Sequence, residues 1–563
     1  MTLERVLAAI VPFIAIVTVC AVFLGRYLAA VFQGHRTFLT PCAGRVERSL
    51  LHMFGVQQDE EQTWKKYAVS LLLFNTLGFC FLFILQLVQQ WLPGNPQHLG
   101  PVRLDTAFNA AVSFMTNTNW QSYSGETTMS YLTQMLGMTV QNFLSAATGI
   151  AVAVALVRGF VRRSATSIGC FWVDMIRALV YVLIPMALVL SLVLVSQGAV
   201  QTLRPTLSVT TLEGQAQHIA VGPVASQVAI KHLGTNGGGF FNANAAHPFE
   251  SPDPLTDLLL DFSLLLLPVA LPFMFGEMLG DRKQGIALFV AMLVLFGIGL
   301  AVSLHYELAG NPVLARAGVA GGVNMEGKEQ RFGPIMSTLF SQSTTTTSSG
   351  AIDAMHDSFT PIPGLIMVFN MTIGEVIFGG VGVGLVGMLL YAVLTLFIVG
   401  LMIGRTPEYL GKKLEPREML MAVIGLLAPP IAMLLTAGLA FSIPSAVAST
   451  GNAGSHGMTE ILYACASAAG NNGSAFAGLN ANTPFYNIML ALLMLIGRFA
   501  TILPALAIAG SVAAKKRVQS SVSFSTTSFL FVFVLIFIIV VVGGLTYFSP
   551  LVLGPLLEFL KLR

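Results

Sequence analysis

Charge is what this sequence has least of: 29 Lys and Arg with 26 Asp and Glu make up only 10% of its 563 residues. A soluble chain carries about 25% charge, so a water-exposed globule is excluded. The net charge of +3 leaves no basic stripe for phosphates, which excludes a nucleic-acid partner. Cysteine is equally scarce. Cys20, Cys42, Cys80, Cys170 and Cys465 show no CxxC spacing, so they read as small buried hydrophobes, not as a disulfide framework or thiolate metal site. Lys231, His232 and His247 have no further ligands at zinc spacing. A DKTG phosphorylation motif and a GxxxxGKS/T phosphate loop are both missing. No loop on the positively charged side is long enough for a nucleotide-binding domain, so the chain reads as non-catalytic by itself. No nucleophile–base pair recurs among the apolar runs either, which argues against a membrane-embedded enzyme.

What is abundant is apolar sequence: 55% hydrophobic residues and a mean hydropathy of +0.77. Runs long enough to cross ~30 Å of hydrocarbon occur at 6–32, 67–92, 132–157, 171–197, 255–279, 285–308, 362–403, 419–443, 485–513 and 525–548. The first lacks a small-residue cleavage site and reads as an uncleaved helix. The stretch 362–403 is too long for one plain helix and contains Gly379, Gly380, Gly382 and Gly384. We read it as a discontinuous helix; Glu375, ahead of the glycines, either caps the break or pairs with Arg498 or another base, or belongs with the glycines to a gate on an ion path, the reading we favour. Arg498 lies inside the run 485–513, where an unpaired charge costs about 2.5–3.5 kcal/mol. It either pairs with a carboxylate or helix-end carbonyls, or acts as a positive gate. Asp174 and Arg177 stand at i,i+3 and are expected to pair locally.

The basic residues alternate by loop. Arg36, Arg45, Arg48, Lys65, Lys66, Arg158, Arg162, Arg163, Arg282, Lys283, Arg405, Lys412, Lys413, Arg417, Lys515, Lys516 and Arg517 fall on one side, in short loops. Positive charge marks the cytoplasmic side, so both termini are expected outside, in a multi-pass protein of a bacterial inner membrane. Arg405, Lys412 and Lys413 cluster there, either through the same charge rule or as a docking surface for a partner.

Glycine, with 54 copies, is concentrated beside Asn, Ser and Thr. The long outer segments 93–131, 198–254, 309–361 and 444–484 each contain a short helical stretch, then small polar residues, then another span. The helical stretches are Ala107–Met115, Val224–Leu233, Pro334–Ser341 and Glu460–Ala469. Aligning the small polar residues of the four segments gives Thr116-Asn117-Thr118, Thr235-Asn236-Gly237, Ser348-Ser349-Gly350 and Asn471-Asn472-Gly473, at separations of 119, 113 and 123 residues. The spacing predicts an all-α membrane protein of four fused span–pore helix–filter loop–span repeats, with an extra helix at each end. The expected units are an N-terminal helix at 1–33, a cytoplasmic loop at 34–66, repeats at 67–165, 166–282, 283–418 and 419–518, and a C-terminal helix at 519–563. Extended backbone at membrane depth is tolerated only where it lines a cavity. Four such loops could ring an axis with carbonyl oxygens that replace a cation's water. No Asp or Glu lies in any triplet, the nearest being Asp353, three residues past Gly350. A divalent ion would call for carboxylates, so the site suits a monovalent cation, potassium first. A pump subunit and a stand-alone channel or ion-coupled symporter both remain open on this reading.

The run Ser122-Tyr123-Ser124-Gly125-Glu126, GTNGGGFFNAN from Gly234, MEGKEQRFG from Met325, GRTPEYLGKK from Gly404 and NNGSAFAGLNAN from Asn471 together resemble the potassium-binding subunits of the Kdp transporters, the KdpA family. The resemblance covers essentially the whole chain. It implies four channel-like units of the superfamily of potassium transporters, with K+ as the bound substrate ion. It implies assembly with a P-type ATPase subunit (KdpB) that alone uses ATP and Mg, with a C subunit (KdpC) and with a small single-span F subunit (KdpF). It also places the filter at the twelve triplet residues, with Gln121 and Gly238 beside it.

Overall fold

In the computed structural model, residues 3–319, 322–374, 376–517 and 524–562 are described. Among them, ten helices are long and apolar enough to cross a membrane. In chain order the elements used below are α1 Leu3–Phe32, α2 Thr40–Met53, α3 Trp64–Val88, α4 Leu104–Met115, α5 Thr133–Val161, α6 Phe171–Ser196, α7 Val224–Leu233 and α8 Pro254–Leu279. They continue as α9 Arg282–Ala309, α10 Gly333–Thr346, α11 Pro361–Thr372, α12 Val383–Ile403, α13 Pro416–Ser442, α14 Gly454–Ala469, α15 Pro484–Ala514 and α16 Phe529–Leu551. The expected stretches reappear as α4, α7, α10 and α14.

Local chemistry sets the helix ends. The side chains of Thr63, Asp253, Thr483 and Ser528 accept a backbone N–H in the first turn of α3, α8, α15 and α16; each occupies one of the donors a helix start leaves unpaired. Glu415 and Glu418 form a reciprocal capping box on α13. Gly280 and Gly404 close α8 and α12 in the left-handed conformation, which a side chain disfavours.

Burial sorts the spans. The most hydropathic windows of α5 and α8 are 83% and 72% buried, against 33% for α1, α3 and α13. The former make the centre and the latter face outward. Besides its short helix α7, the segment 198–254 holds an exposed antiparallel hairpin, β1 Leu207–Thr210 with β2 Ala216–Ile219, which the all-α reading did not contain.

The stretch 362–403 is interrupted as expected, into α11 and α12; Gly384 alone falls past the break, in the first turn of α12, where its N–H reaches Gly380 O at 2.9 Å. Two expectations are corrected. Asp174 does not pair with Arg177. Its carboxylate takes a two-pronged bond from Arg158, at 2.6 and 2.7 Å, while Arg177 bonds Glu47 at 2.8 Å. Spacing along one helix is blind to a partner from a neighbouring span. The cysteines are free, but only Cys170 and Cys465 are buried; Cys42 and Cys80 are exposed.

Candidate functional site

The four short helices end alike. Their C-caps, Thr116, Gly234, Thr347 and Gly470, all sit near φ −82 to −85° and ψ 0 to 4°. The next residue is left-handed in every case: Asn117 (φ 66°), Thr235 (47°), Ser348 (48°) and Asn471 (50°). The residue after that returns its N–H five positions back: Thr118 to Ser113 O (3.0 Å), Asn236 to Lys231 O (2.8 Å), Ser349 to Thr344 O (3.0 Å) and Asn472 to Ser467 O (2.8 Å). This is the Schellman termination.

Its regularity moves one alignment. The counterpart of Thr235-Asn236-Gly237 in the first segment is Asn117-Thr118-Asn119, one residue later than the sequence pattern suggested. Thr116 falls instead at the C-cap, and its hydroxyl meets that of Thr118 at 2.8 Å. Asn119, which the sequence pattern did not single out, stands where the others have glycine. It has φ 57°, and asparagine is the non-glycine residue that tolerates this region best. That tolerance was the signal available in the sequence.

The loops are bonded in a closed ring. Asn236 Nδ2 donates to Asn117 Oδ1 (2.7 Å) and Asn119 Oδ1 (3.0 Å), joining the second loop to the first. Ser349 Oγ donates to Asn236 O (3.2 Å), joining the third to the second. Asn472 Nδ2 reaches Thr344 O (2.8 Å) at the end of α10, and Asn471 Nδ2 reaches Thr118 Oγ1 (2.9 Å), completing the circuit. Around it, Ser145 Oγ supports Asn117 Oδ1 at 2.8 Å and Asn119 Nδ2 bonds Asn142 Oδ1 at 2.7 Å. Backbone approaches are close: a Cβ on Gly473 would collide with Thr118 O, and one on Gly350 with Asn472 O. A Cβ on Gly238 would lie 2.8 Å from Asn119 O. Gln121 clamps the neighbouring backbone, accepting from Gly239 N (3.0 Å) and donating to Gly239 O (3.2 Å). Every triplet residue but Gly473, which is half-buried, is buried.

Buried ion pairs brace the loops from behind. Lys231 Nζ meets Glu250 Oε2 at 2.5 Å and Asn244 Oδ1 at 3.0 Å, while Glu250 Oε1 accepts from Phe241 N at 3.0 Å. Lys328 and Glu307 pair at 2.7 Å, both fully buried. The Nδ1 of His232 contacts Val228 O at 2.9 Å, and burial with the Lys231 charge holds the ring well below the usual imidazole range.

Beneath the ring lies the break between α11 and α12, including Gly379, Gly380 and Gly382. Val381 N donates to Thr235 Oγ1 at 2.9 Å, and a Cβ on Gly382 would collide with Gly149 of α5. Arg498 of α15 is 3% exposed, with Nη2 donating to Ser145 O at 3.0 Å. Glu375 lies outside the described residues. On the opposite end, Arg405 and Lys413 are exposed, and Lys412 is not. Its Nζ caps α15 through Val512 O (2.7 Å) and Lys515 O (3.0 Å), so this residue of the expected docking cluster is spent inside the chain.

The fold thus defines a multi-spanning helical membrane protein in which four loops between spans converge on a buried polar ring. A model of the KdpA family, described as the potassium-transporting ATPase A subunit, matches residues 11–560. The chain belongs to this family. It is 55% identical over 540 residues to the "Potassium-transporting ATPase potassium-binding subunit" of Mesorhizobium japonicum, covering 96% of this chain and 95% of that one. It is 52% identical over 564 residues to the protein of the same description from Rhodospirillum centenum, covering 100% and 98%. Among solved structures, the potassium transporter TrkH from Vibrio parahaemolyticus matches with a TM-score of 0.49 at 14% identity, over 75% of this chain and 83% of that one.

Proposed function

We propose that the ring formed by Asn117-Thr118-Asn119, Thr235-Asn236-Gly237, Ser348-Ser349-Gly350 and Asn471-Asn472-Gly473 is a potassium selectivity filter, built from four pseudo-symmetric repeats. As a KdpA-family member, the chain is the potassium-binding and translocating subunit of a Kdp-type transport system, and it is not itself catalytic. The observation that carries the filter reading is the closed circuit of hydrogen bonds on four helix C-termini. A helix C-terminus carries about half a negative charge, so four converging ends favour a cation without any carboxylate. Backbone and amide oxygens then take the place of the ion's water shell.

In this reading K+ is the substrate, taken from the outer side, where both termini also lie. The ion passes toward KdpB, which hydrolyses ATP with Mg; KdpC and KdpF complete the complex. The break at 373–382, with Arg498 and Glu375, is the gate beneath the filter. Arg405 and Lys413 remain as the docking surface. The repeats follow the boundaries 67–165, 166–282, 283–418 and 419–518.

Ion-dependent thermal stability of the purified complex tests the filter. A ligand that binds only the native state raises its melting temperature with concentration. Potassium is expected to do so and sodium at equal ionic strength is not; equal shifts would sink the filter reading. Expression without the ATPase subunit in potassium-uptake-deficient cells separates the pump subunit from a stand-alone channel or symporter. No rescue is expected, and growth at limiting potassium would favour the channel.

A further inference from the structure

We infer that the Thr235 hydroxyl is a latch that ties the second filter loop to the interrupted helix and holds the gate shut; this rests on the gate reading above. The hydroxyl uses its proton and one lone pair. It donates to Gly234 O at 2.8 Å and accepts from Val381 N at 2.9 Å, so it is committed to the break and to its own loop. Among the described residues this is the one hydrogen bond that joins a ring loop to residues 373–382. Thr235 and Val381 are 0% and 1% exposed, so water offers neither group a replacement partner, and an orphaned buried donor is costly.

The residue type is the second observation. The equivalent left-handed positions hold Asn117, Ser348 and Asn471. Only Thr235 is β-branched there, and a β-branched residue at positive φ is a genuine outlier. Such strain persists where surrounding structure over-determines it. Asn117 and Asn471 use their amides to bond other ring loops, whereas Thr235 turns its side chain to the break.

The third observation is space. Gly149 and Gly382 bring α5 against the break so closely that a Cβ on either would strike the other's segment, at Val381 O or at Gly149 O. The segment is therefore wedged from one side and hydrogen-bonded from the other. Moving the break away from the filter loop requires release of Thr235, so the two stay coupled while the bond holds. Thr235 acts on the ion path through Val381, as a positioning residue.

The test compares Thr235→Val, which keeps the shape and removes the hydroxyl, with Thr235→Ser, which keeps the hydroxyl. Each is assembled in the full complex, and potassium flux into vesicles is read without ATP. Removing one buried hydrogen bond should raise this passive flux about tenfold in Thr235→Val, and Thr235→Ser should restore a low leak. Equal leak in both variants, or none in either, overturns the latch. Should Thr235→Val fail to assemble, Gly149→Ala displaces the same segment from the other side and is expected to leak as well; an unaltered flux there also overturns it. A deletion within 379–382 separates the latch from the gate on which it rests. If the deletion leaks and Thr235→Val does not, the latch falls and the gate stands; if neither leaks, the gate reading itself falls.

Discussion

At the residue scale, the carboxyl nearest a triplet in sequence is informative because it is not in it. Asp353 is fully buried, and neither of its oxygens has a hydrogen-bond partner. Burial pushes its carboxyl up to about 7, against the opposing pull of the nearby Ser337, a backbone N–H and Lys328. A raised carboxyl favours the protonated native state. The associated stability is fully present below the ordinary carboxylate range and is lost as pH rises through about 7. Wild-type complex should therefore melt at progressively lower temperature from acid to neutral pH, while Asp353→Asn, which mimics the neutral form, should flatten that slope. An unchanged slope in the variant removes Asp353 as its source. His456 behaves oppositely. Burial alone would lower it, but bonds to Asp357 (2.8 Å) and Glu558 (2.9 Å) outweigh burial and raise it to about 10. Its contribution is fully present below the ordinary imidazole range and lost as pH rises through about 10, so a His456→Gln variant should lose an alkaline melting transition. These environments were invisible in sequence. Asp353 was legible only as an acid three residues past a triplet, and the partners of His456 lie in distant segments.

At the element scale, the short helices and their loops were largely legible, because each ends at small or polar residues that accept a left-handed turn. The first loop was misaligned by one position because Asn119 does what glycine does elsewhere, and the alignment matched glycines without weighing asparagine's tolerance of the left-handed region. The braces behind the loops were not legible. Lys231 and Glu250 are separated by a loop whose path only the fold decides, and both are fully buried. Removing one member of such a pair leaves an uncompensated buried charge, a cost of about 3–5 kcal/mol, whereas replacing both by apolar groups is often neutral. Glu250→Gln should accordingly depress the melting temperature of the complex and its potassium affinity together. The double variant Lys231→Met, Glu250→Leu should recover most of the stability. A single variant as stable as wild type would show that the pair does not hold the second loop.

At the scale of the whole molecule, the ten spans were legible because lipid imposes a length and a composition that few other structures share. The interrupted span also showed itself in sequence, through its glycines. Which spans are central was not, since α5 and α1 are comparably apolar yet differ widely in burial; that depends on pairing between distant segments. Orientation rests on the distribution of a few Lys and Arg residues, and a native cysteine can test it. Cys42 is exposed on α2, flanked in sequence by Arg36, Arg45 and Arg48, and the positive-inside rule puts this segment in the cytoplasm. Cys170 and Cys465 are buried, while Cys20 is half-buried and Cys80 exposed on the apolar spans α1 and α3, where contact with lipid suppresses the reactive thiolate. A membrane-impermeant maleimide should therefore leave the chain unlabelled in intact cells with a permeable outer envelope. It should modify the chain once the inner membrane is opened, and Cys42→Ser should abolish that signal. Labelling of Cys42 in intact cells would invert the topology. The ring would then face the cytoplasm, and uptake from outside would have to begin at the end of the molecule that carries Arg405 and Lys413.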